Sequence, residues 1–171
     1  EEFKLFINKT LDDYLQLSGI VCTKSHWKNV FEILSNSKQG SEINLVENIY
    51  ILKDRASFII YINSDINKHY IVKFNSRLVN WYDSSFEISN NDFLNDSRKT
   101  IILPYEYLNK GLYITHWKYG DKITLKDKSK KISDLFINNK ISKYDKKYYP
   151  IVRDSENNIL WVPDIIKKNY K

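Results

Sequence analysis

The segment YITHWKYGDKITL, residues 113–125, decides how the chain is read. Tyr113 to Trp117 is a β-branched and aromatic run, Gly120-Asp121 is a turn dipeptide, and Lys122 to Leu125 alternates polar with apolar residues. Two such runs about a turn signal predict strand, turn, strand. Next come Ile132, Leu135 and Phe136 at i, i+3 and i+4, which place three apolar groups on one face of a short helix. Ile151-Val152 and Ile159 to Val162 then read as strands, and a strand at Ile101 to Leu103 precedes the whole series. Strands gathered around one short helix, without regular strand–helix alternation, imply an α+β unit over residues 100–171.

Upstream the periodicity changes twice. Phe3, Phe6, Ile7, Leu11, Tyr14 and Leu15 fall at helical spacing and Gly19 supplies a stop. Thr23 or Ser25 can cap a second helix that carries Trp27, Val30, Phe31 and Leu34, ended by the polar run to Gly40. Residues 1–40 are thus expected to be helical. From Ile43 onward, Ile49 to Leu52, Phe58 to Ile62, Tyr70 to Phe74, Leu78 to Tyr82 and Phe86 to Ile88 read as short antiparallel strands, a mainly β unit over residues 41–95. The polar stretch Ser89 to Lys99 is the expected boundary before the last unit. The fold class read from this pattern is α+β.

The 171 residues suit one or two compact units at about 150 residues each, and a chain of this length needs no covalent staples. Composition is that of a folded protein, 42% hydrophobic and 28% charged. No run approaches the roughly 18 apolar residues of a membrane-spanning helix, so no membrane partner is expected. The chain opens Glu1-Glu2-Phe3 and contains no Met, which leads us to expect a piece of a longer protein.

Several chemistries are poorly served. The four glycines, Gly19, Gly40, Gly111 and Gly120, are too far apart to build a phosphate-cradling loop. Cys22 is the lone cysteine, and His26, His69 and His116 lack a second ligand at metal-binding spacing. A Cys22–His26 dyad is available at helical spacing, but a cysteine beside Val21 reads better as a small apolar residue. Asp12-Asp13 reads as a solvated helix face. We expect a binding module with no catalytic residue, metal or cofactor in the segment.

Charge is more informative. The net charge is +6, and the stretch from Lys118 to Lys147 alone holds ten lysines, four aspartates and no arginine. The remainder is neutral. Such a block can be a solvated face, but confinement to one stretch makes a directional field that suits an anionic polymer. Lysine without arginine favours point-charge contact with phosphate over bidentate reading of base edges. The thirteen tyrosines could stack on unpaired bases, although packing is the default role for each.

His116-Trp117-Lys118-Tyr119-Gly120-Asp121 and Lys130-Lys131-Ile132-Ser133-Asp134-Leu135-Phe136-Ile137, followed by Pro150-Ile151-Val152 and Ile159-Leu160-Trp161-Val162-Pro163, together resemble the C-terminal region of tRNA(Ile)-lysidine synthetase. Leu17-Ser18-Gly19-Ile20, Gly40-Ser41 and Tyr50-Ile51-Leu52-Lys53-Asp54-Arg55 before Phe58-Ile59-Ile60 are similar to the middle region of those enzymes, most like the Bacteroidetes version. The chain departs from the family where Thr115 or His116 stands in place of an arginine, where the basic turn lacks its glycine, and at Lys146 and Asp164.

The resemblance implies a cytoplasmic ATP-dependent carbon–nitrogen ligase that joins lysine to the wobble cytidine of the CAU anticodon in tRNA(Ile), forming lysidine. It implies ATP with magnesium, bound at a Ser-Gly-Gly-x-Asp-Ser loop that these 171 residues do not contain. The present segment would then be the non-catalytic part that grips tRNA(Ile), while lysine and ATP engage the catalytic domain and a homodimer stays open. The phosphate-contact candidates are Lys118, Lys126, Lys128, Lys130, Lys131, Lys140, Lys143, Lys146 and Lys147, with Lys126 to Lys131 foremost. Asp121 is expected to shape its turn and Ile132, Leu135, Phe136 and Trp161 to be core, while Arg55 is either a structural partner of Asp54, the favoured role, or an RNA contact. A free-standing RNA- or DNA-binding module, or a protein-interaction domain kept soluble by lysines, are the rival readings.

Overall fold

A computed structural model describes residues 21–46, 48–55, 57–63, 71–89, 98–126 and 128–170. The expected first helix, the Asp12-Asp13 pair and His69 lie outside them, as does most of the polar stretch at 90–97. The chain divides into two compact units, Glu1–Ser64 and Asp65–Lys171. That division falls upstream of the polar stretch singled out from composition. Ile71–Lys73 pairs with Leu112–Thr115, so the long-range ladder sets this border.

In the first unit, helix α1 (Lys24–Asn36) precedes strands β1 (Glu42–Val46), β2 (Ile49–Lys53) and β3 (Phe58–Ile62), which form an antiparallel sheet in chain order. Thr23 begins the helix as expected: its Oγ1 accepts from the His26 N–H at 3.4 Å. Trp27, Val30 and Leu34, at i, i+3 and i+7, bury one helix face against Leu45, Ile49 and Ile51. At the other end, Lys53 Nζ donates to the Leu34 and Ser37 carbonyls at 2.5 and 2.9 Å. A cation on the last turn satisfies carbonyls that the helix cannot.

The second unit is built on a five-stranded antiparallel sheet. Its strands are β4 (Ile71–Lys73), β7 (Leu112–Thr115), β10 (Ile151–Asp154), β11 (Ile159–Val162) and β12 (Ile166–Lys167), in the order β12-β11-β10-β7-β4. Two hairpins stand apart from it: β5 (Leu78–Trp81) with β6 (Ser84–Glu87), and β8 (Lys122–Leu125) with β9 (Lys128–Lys131). Among its described residues are three short helices: α2 (Glu106–Lys110), α3 (Ile132–Asn138) and α4 (Lys143–Tyr148).

The sheet is covered on both faces, which explains the continuous burial of β10 and β11. Successive strand residues point oppositely. Ile151 joins a core of Ile123, Ile132, Leu135, Phe136, Ile159, Val162 and Ile165, whereas Val152 joins Val79, Trp81, Phe86, Ile114 and Trp161. Ile132, Leu135, Phe136 and Trp161 are therefore core residues, as expected. The two buried indoles of this unit are satisfied, Trp81 Nε1 by the Tyr148 carbonyl at 2.6 Å and Trp161 Nε1 by that of Arg98 at 3.0 Å. Tyr149 donates its hydroxyl to the Pro163 carbonyl at 2.7 Å, and burial, with Asp164 and Asp145 adding to it, pushes that hydroxyl up to about 12.

Three local expectations need correction. Ile101 to Leu103 is not a strand. Both sides of β7 are occupied, by β10 and β4, so that segment has no place beside it. It leads instead into α2, where the Tyr107 N–H bonds the Pro104 carbonyl at 3.0 Å. Lys126 to Lys131 is not one long basic turn: Lys128–Lys131 is strand β9, paired antiparallel with β8. Lys143–Tyr148, which charge alone marks only as part of the basic block, is helix α4. Its signal was present as Ser142-x-x-Asp145: Ser142 Oγ accepts from the Asp145 N–H at 2.9 Å and donates to Asp145 Oδ2 at 2.7 Å.

Candidate nucleic-acid interface

The basic residues divide into two groups. The first sits on the β8–β9 hairpin and the turn before it. Cross-strand partners on a hairpin share a face. The register pairs Lys122 with Lys131, Ile123 with Lys130, Thr124 with Ser129 and Leu125 with Lys128. Lys122 and Lys131 therefore project side by side, while Lys128 and Lys130 lie on the opposite face with Ile123 and Leu125. All four lysines are exposed. The foremost candidates, Lys128, Lys130 and Lys131, are thus divided between two faces by the two-residue period of a strand. Lys126 is exposed at the hairpin tip, with φ 46 in the left-handed region that tight two-residue hairpins demand.

Lys122, which the sequence reading passed over, gains its place from the register. Like charges directly opposite in a ladder destabilise it. A bound anion removes that repulsion, so this end of the hairpin is built at a cost that a phosphate would offset.

The preceding turn is fixed to the same end. Lys118 to Asp121 close through an Asp121 N–H bond to the Lys118 carbonyl at 3.0 Å, with Gly120 at φ 90, where a side chain would be strained. Asp121 does more than shape this turn. Its Oδ2 accepts from the Lys118 N–H at 2.6 Å and from Arg153 Nη2 at 2.5 Å, and its carbonyl accepts from the Ile132 N–H at 2.9 Å. One residue thereby ties the turn to the Lys131–Ile132 junction and to β10. Lys118, Lys122 and Lys131 are brought to one end of the hairpin.

Arg153 is buried, with its side chain 3% exposed beside an Asp121 side chain at 13%. Its Nε donates to Thr115 Oγ1 at 2.8 Å and its Nη1 to the Asn157 carbonyl at 3.3 Å. Thr115, which with His116 is one of the two positions expected to carry an arginine in the resembling family, receives a guanidinium from the adjacent strand. No local pattern in the sequence marks the Arg153–Asp121 pairing, which spans 32 residues.

The second basic group lies around α4. Lys143, Lys146 and Lys147, at i, i+3 and i+4, share one side of this short helix, and Lys140 is exposed in the turn before it with φ 57. Lys146 is partly a packing residue, since its Nζ lies 6.0 Å from the centroid of the buried Phe136 ring. Phe136 also meets Trp117 at 5.6 Å and Tyr149 at 5.0 Å. It is a common floor under the basic turn and α4.

A groove of about 1320 Å³ borders α4 but is lined by none of the candidate lysines: Tyr82, Phe86, Tyr144 and Trp161 wall it together with Asp83, Glu87, Asp145 and Asp164, and Lys99 is its lysine. Its sign is wrong for a polyanion. Beside it, His116 is 7% exposed and its Nε2 lies 2.9 Å from Tyr82 Oη, with the Trp81 ring 4.8 Å away. Desolvation holds this imidazole below its ordinary value. Among the described residues, no three His, Cys, Asp or Glu converge to hold a metal ion. Gly40 and Gly120 stand in separate turns, and Gly111 caps the end of α2. No described helix is long and apolar enough to cross a membrane.

No family model matches the chain. It is similar to tRNA(Ile)-lysidine synthases over most of its length: 29% identical to that of Clostridioides difficile over 159 residues, which is 85% of this chain and 34% of the relative. The Bacillus licheniformis enzyme is 33% identical over 86 residues, 49% of this chain and 17% of that one. A bifunctional protein TilS/HprT of Listeria innocua is 22% identical over 159 residues, 89% of this chain and 24% of its own. The chain thus spans about a third or less of the curated relatives it matches. A crystal structure of a TILS C-terminal domain is 36% identical over 33% of this chain and 45% of its own, with a TM-score of 0.32.

Proposed function

We propose that this chain is the tRNA-gripping portion of an enzyme of the tRNA(Ile)-lysidine synthase family. In this reading tRNA(Ile) is its partner, and the ligation of lysine to the wobble cytidine, with ATP and magnesium, is carried out in the cytoplasm by a portion outside these residues. The segment alone holds RNA and performs no chemistry.

The observation that carries the reading is the pairing of Lys122 with Lys131 beside Lys118 at one end of a hairpin. Along an RNA stem the deep, narrow major groove is closed to side chains, so phosphates and the minor groove are what a protein meets. Lysine ammonium groups on a braced hairpin suit that contact without requiring base identity. A second grip on the tRNA body raises the effective concentration of the anticodon at a catalytic portion joined to it. The similarity to lysidine synthases supports the choice of tRNA among polyanions.

The test is a titration of the 171-residue chain with tRNA(Ile) bearing CAU, an elongator tRNA with another anticodon, and duplex DNA. Binding of both tRNAs ahead of DNA supports a grip on the tRNA body. Equal binding of DNA favours a general nucleic-acid module, and no binding at low salt leaves only the protein-interaction reading.

A further inference from the structure

Tyr119 has no packing role. It is 97% exposed, the most exposed of the large apolar residues described, although it stands between Trp117, which packs on Phe136, and Asp121, which is clamped by Arg153. The turn that presents it is held by the Asp121 N–H bond to Lys118, the Lys118 N–H bond to the Asp121 carboxylate, and the Asp121 carbonyl bond to Ile132. An aromatic ring is thus offered to solvent on braced backbone, adjoining the exposed Lys118 and the Lys122–Lys131 pair.

We infer that Tyr119 is a stacking residue that receives an unpaired nucleobase next to an RNA helix, while Lys118, Lys122 and Lys131 hold the neighbouring phosphates. The inference rests on the RNA reading above and adds to it a specificity for the junction between paired and unpaired RNA. Aromatic rings bind bases through their faces without selecting among the four, and backbone lysines beside them anchor the strand. Because the turn is already ordered, little conformational entropy is lost when a base docks. The carboxylate nearest in sequence, Asp121, is engaged by Arg153, so its charge is compensated where the phosphates would lie.

Two RNAs test this: a blunt-ended hairpin, and the same hairpin with several unpaired nucleotides at its 3′ end. The native chain is expected to bind the second several-fold more tightly. Tyr119→Ala should abolish that preference and weaken overhang binding about five-fold or more, leaving blunt-hairpin affinity, melting temperature and the salt slope unchanged. Tyr119→Phe should keep the preference. Equal affinity of the native chain for the two RNAs, or a preference that survives Tyr119→Ala, overturns the inference while leaving the RNA reading standing. Failure to bind either RNA at low salt overturns both.

Discussion

Arg153 and Asp121, 32 residues apart in the chain, form an ion pair whose Nη2–Oδ2 separation is 2.5 Å, and through it the central strand β10 braces the basic turn. Both side chains are largely withdrawn from water. Removing one partner leaves an uncompensated charge in a desolvated place, which typically costs about 3–5 kcal/mol. Arg153→Met and Asp121→Asn are each expected to destabilise the second unit by that order in chemical denaturation. The double variant should lose less than the sum, because the penalty of a lone charge is absent. Additive losses would show that the two groups are not coupled.

His116 makes stability depend on pH in a definite direction. Burial holds the folded imidazole below its ordinary value of 6.5. The group packed against it, Tyr82 Oη at Nε2, is neutral, as is the Trp81 ring. Below about pH 6.5 the unfolded chain takes up a proton that the folded chain resists, so the unfolded state binds more protons and stability rises with pH. Melting temperature should fall as the pH is lowered from about 7.5 to about 5.5. His116→Gln should flatten this slope whatever it does to absolute stability. Parallel curves for the two proteins would assign the acid sensitivity elsewhere.

Helix α4 is only six residues long and depends on its start. Ser142 caps the Asp145 N–H, with Asp145 in the first turn and Lys146 and Lys147 in the last, each favourable to the helix dipole. Ser142→Ala should cost about 1 kcal/mol, and Ser142→Thr or Ser142→Asp should restore most of it. A loss of less than a few tenths by urea titration would mean that tertiary packing alone holds α4.

Much of this architecture was legible because it is local. The i, i+3, i+4 spacing of Ile132, Leu135 and Phe136 gave a helix, and the runs Ile49 to Leu52, Phe58 to Ile62 and Ile159 to Val162 gave strands. β9 was obscured because its sequence Lys-Ser-Lys-Lys lacks the β-branched and aromatic residues that favour strands; pairing with β8, whose Ile123 is wholly buried, imposes the conformation. The strand proposed at Ile101 to Leu103 had the right composition but no free ladder to join. The site was half visible. Charge density pointed to the segment from Lys118 to Lys147, but the neighbour relation of Lys122 to Lys131 is a property of register, and the Arg153–Asp121 brace comes from non-local contacts that leave no spacing signal.

The two faces of the hairpin make separable predictions. Changing Lys118, Lys122 and Lys131 together to Ala should flatten the dependence of log binding constant on log salt by up to about three units. Changing Lys126, Lys128 and Lys130 should flatten it less, since Lys128 and Lys130 project from the other face of the ribbon. The reverse ranking would place the RNA on the face of Ile123 and Leu125.

The central claim is that this basic hairpin end grips tRNA, and the salt dependence of tRNA(Ile) binding by the native 171-residue chain tests it most directly. The account predicts measurable binding at low salt, a slope of several units, and a marked loss of that slope when Lys118, Lys122 and Lys131 are replaced. Absence of binding at low salt, or a slope untouched by the triple replacement, would contradict it.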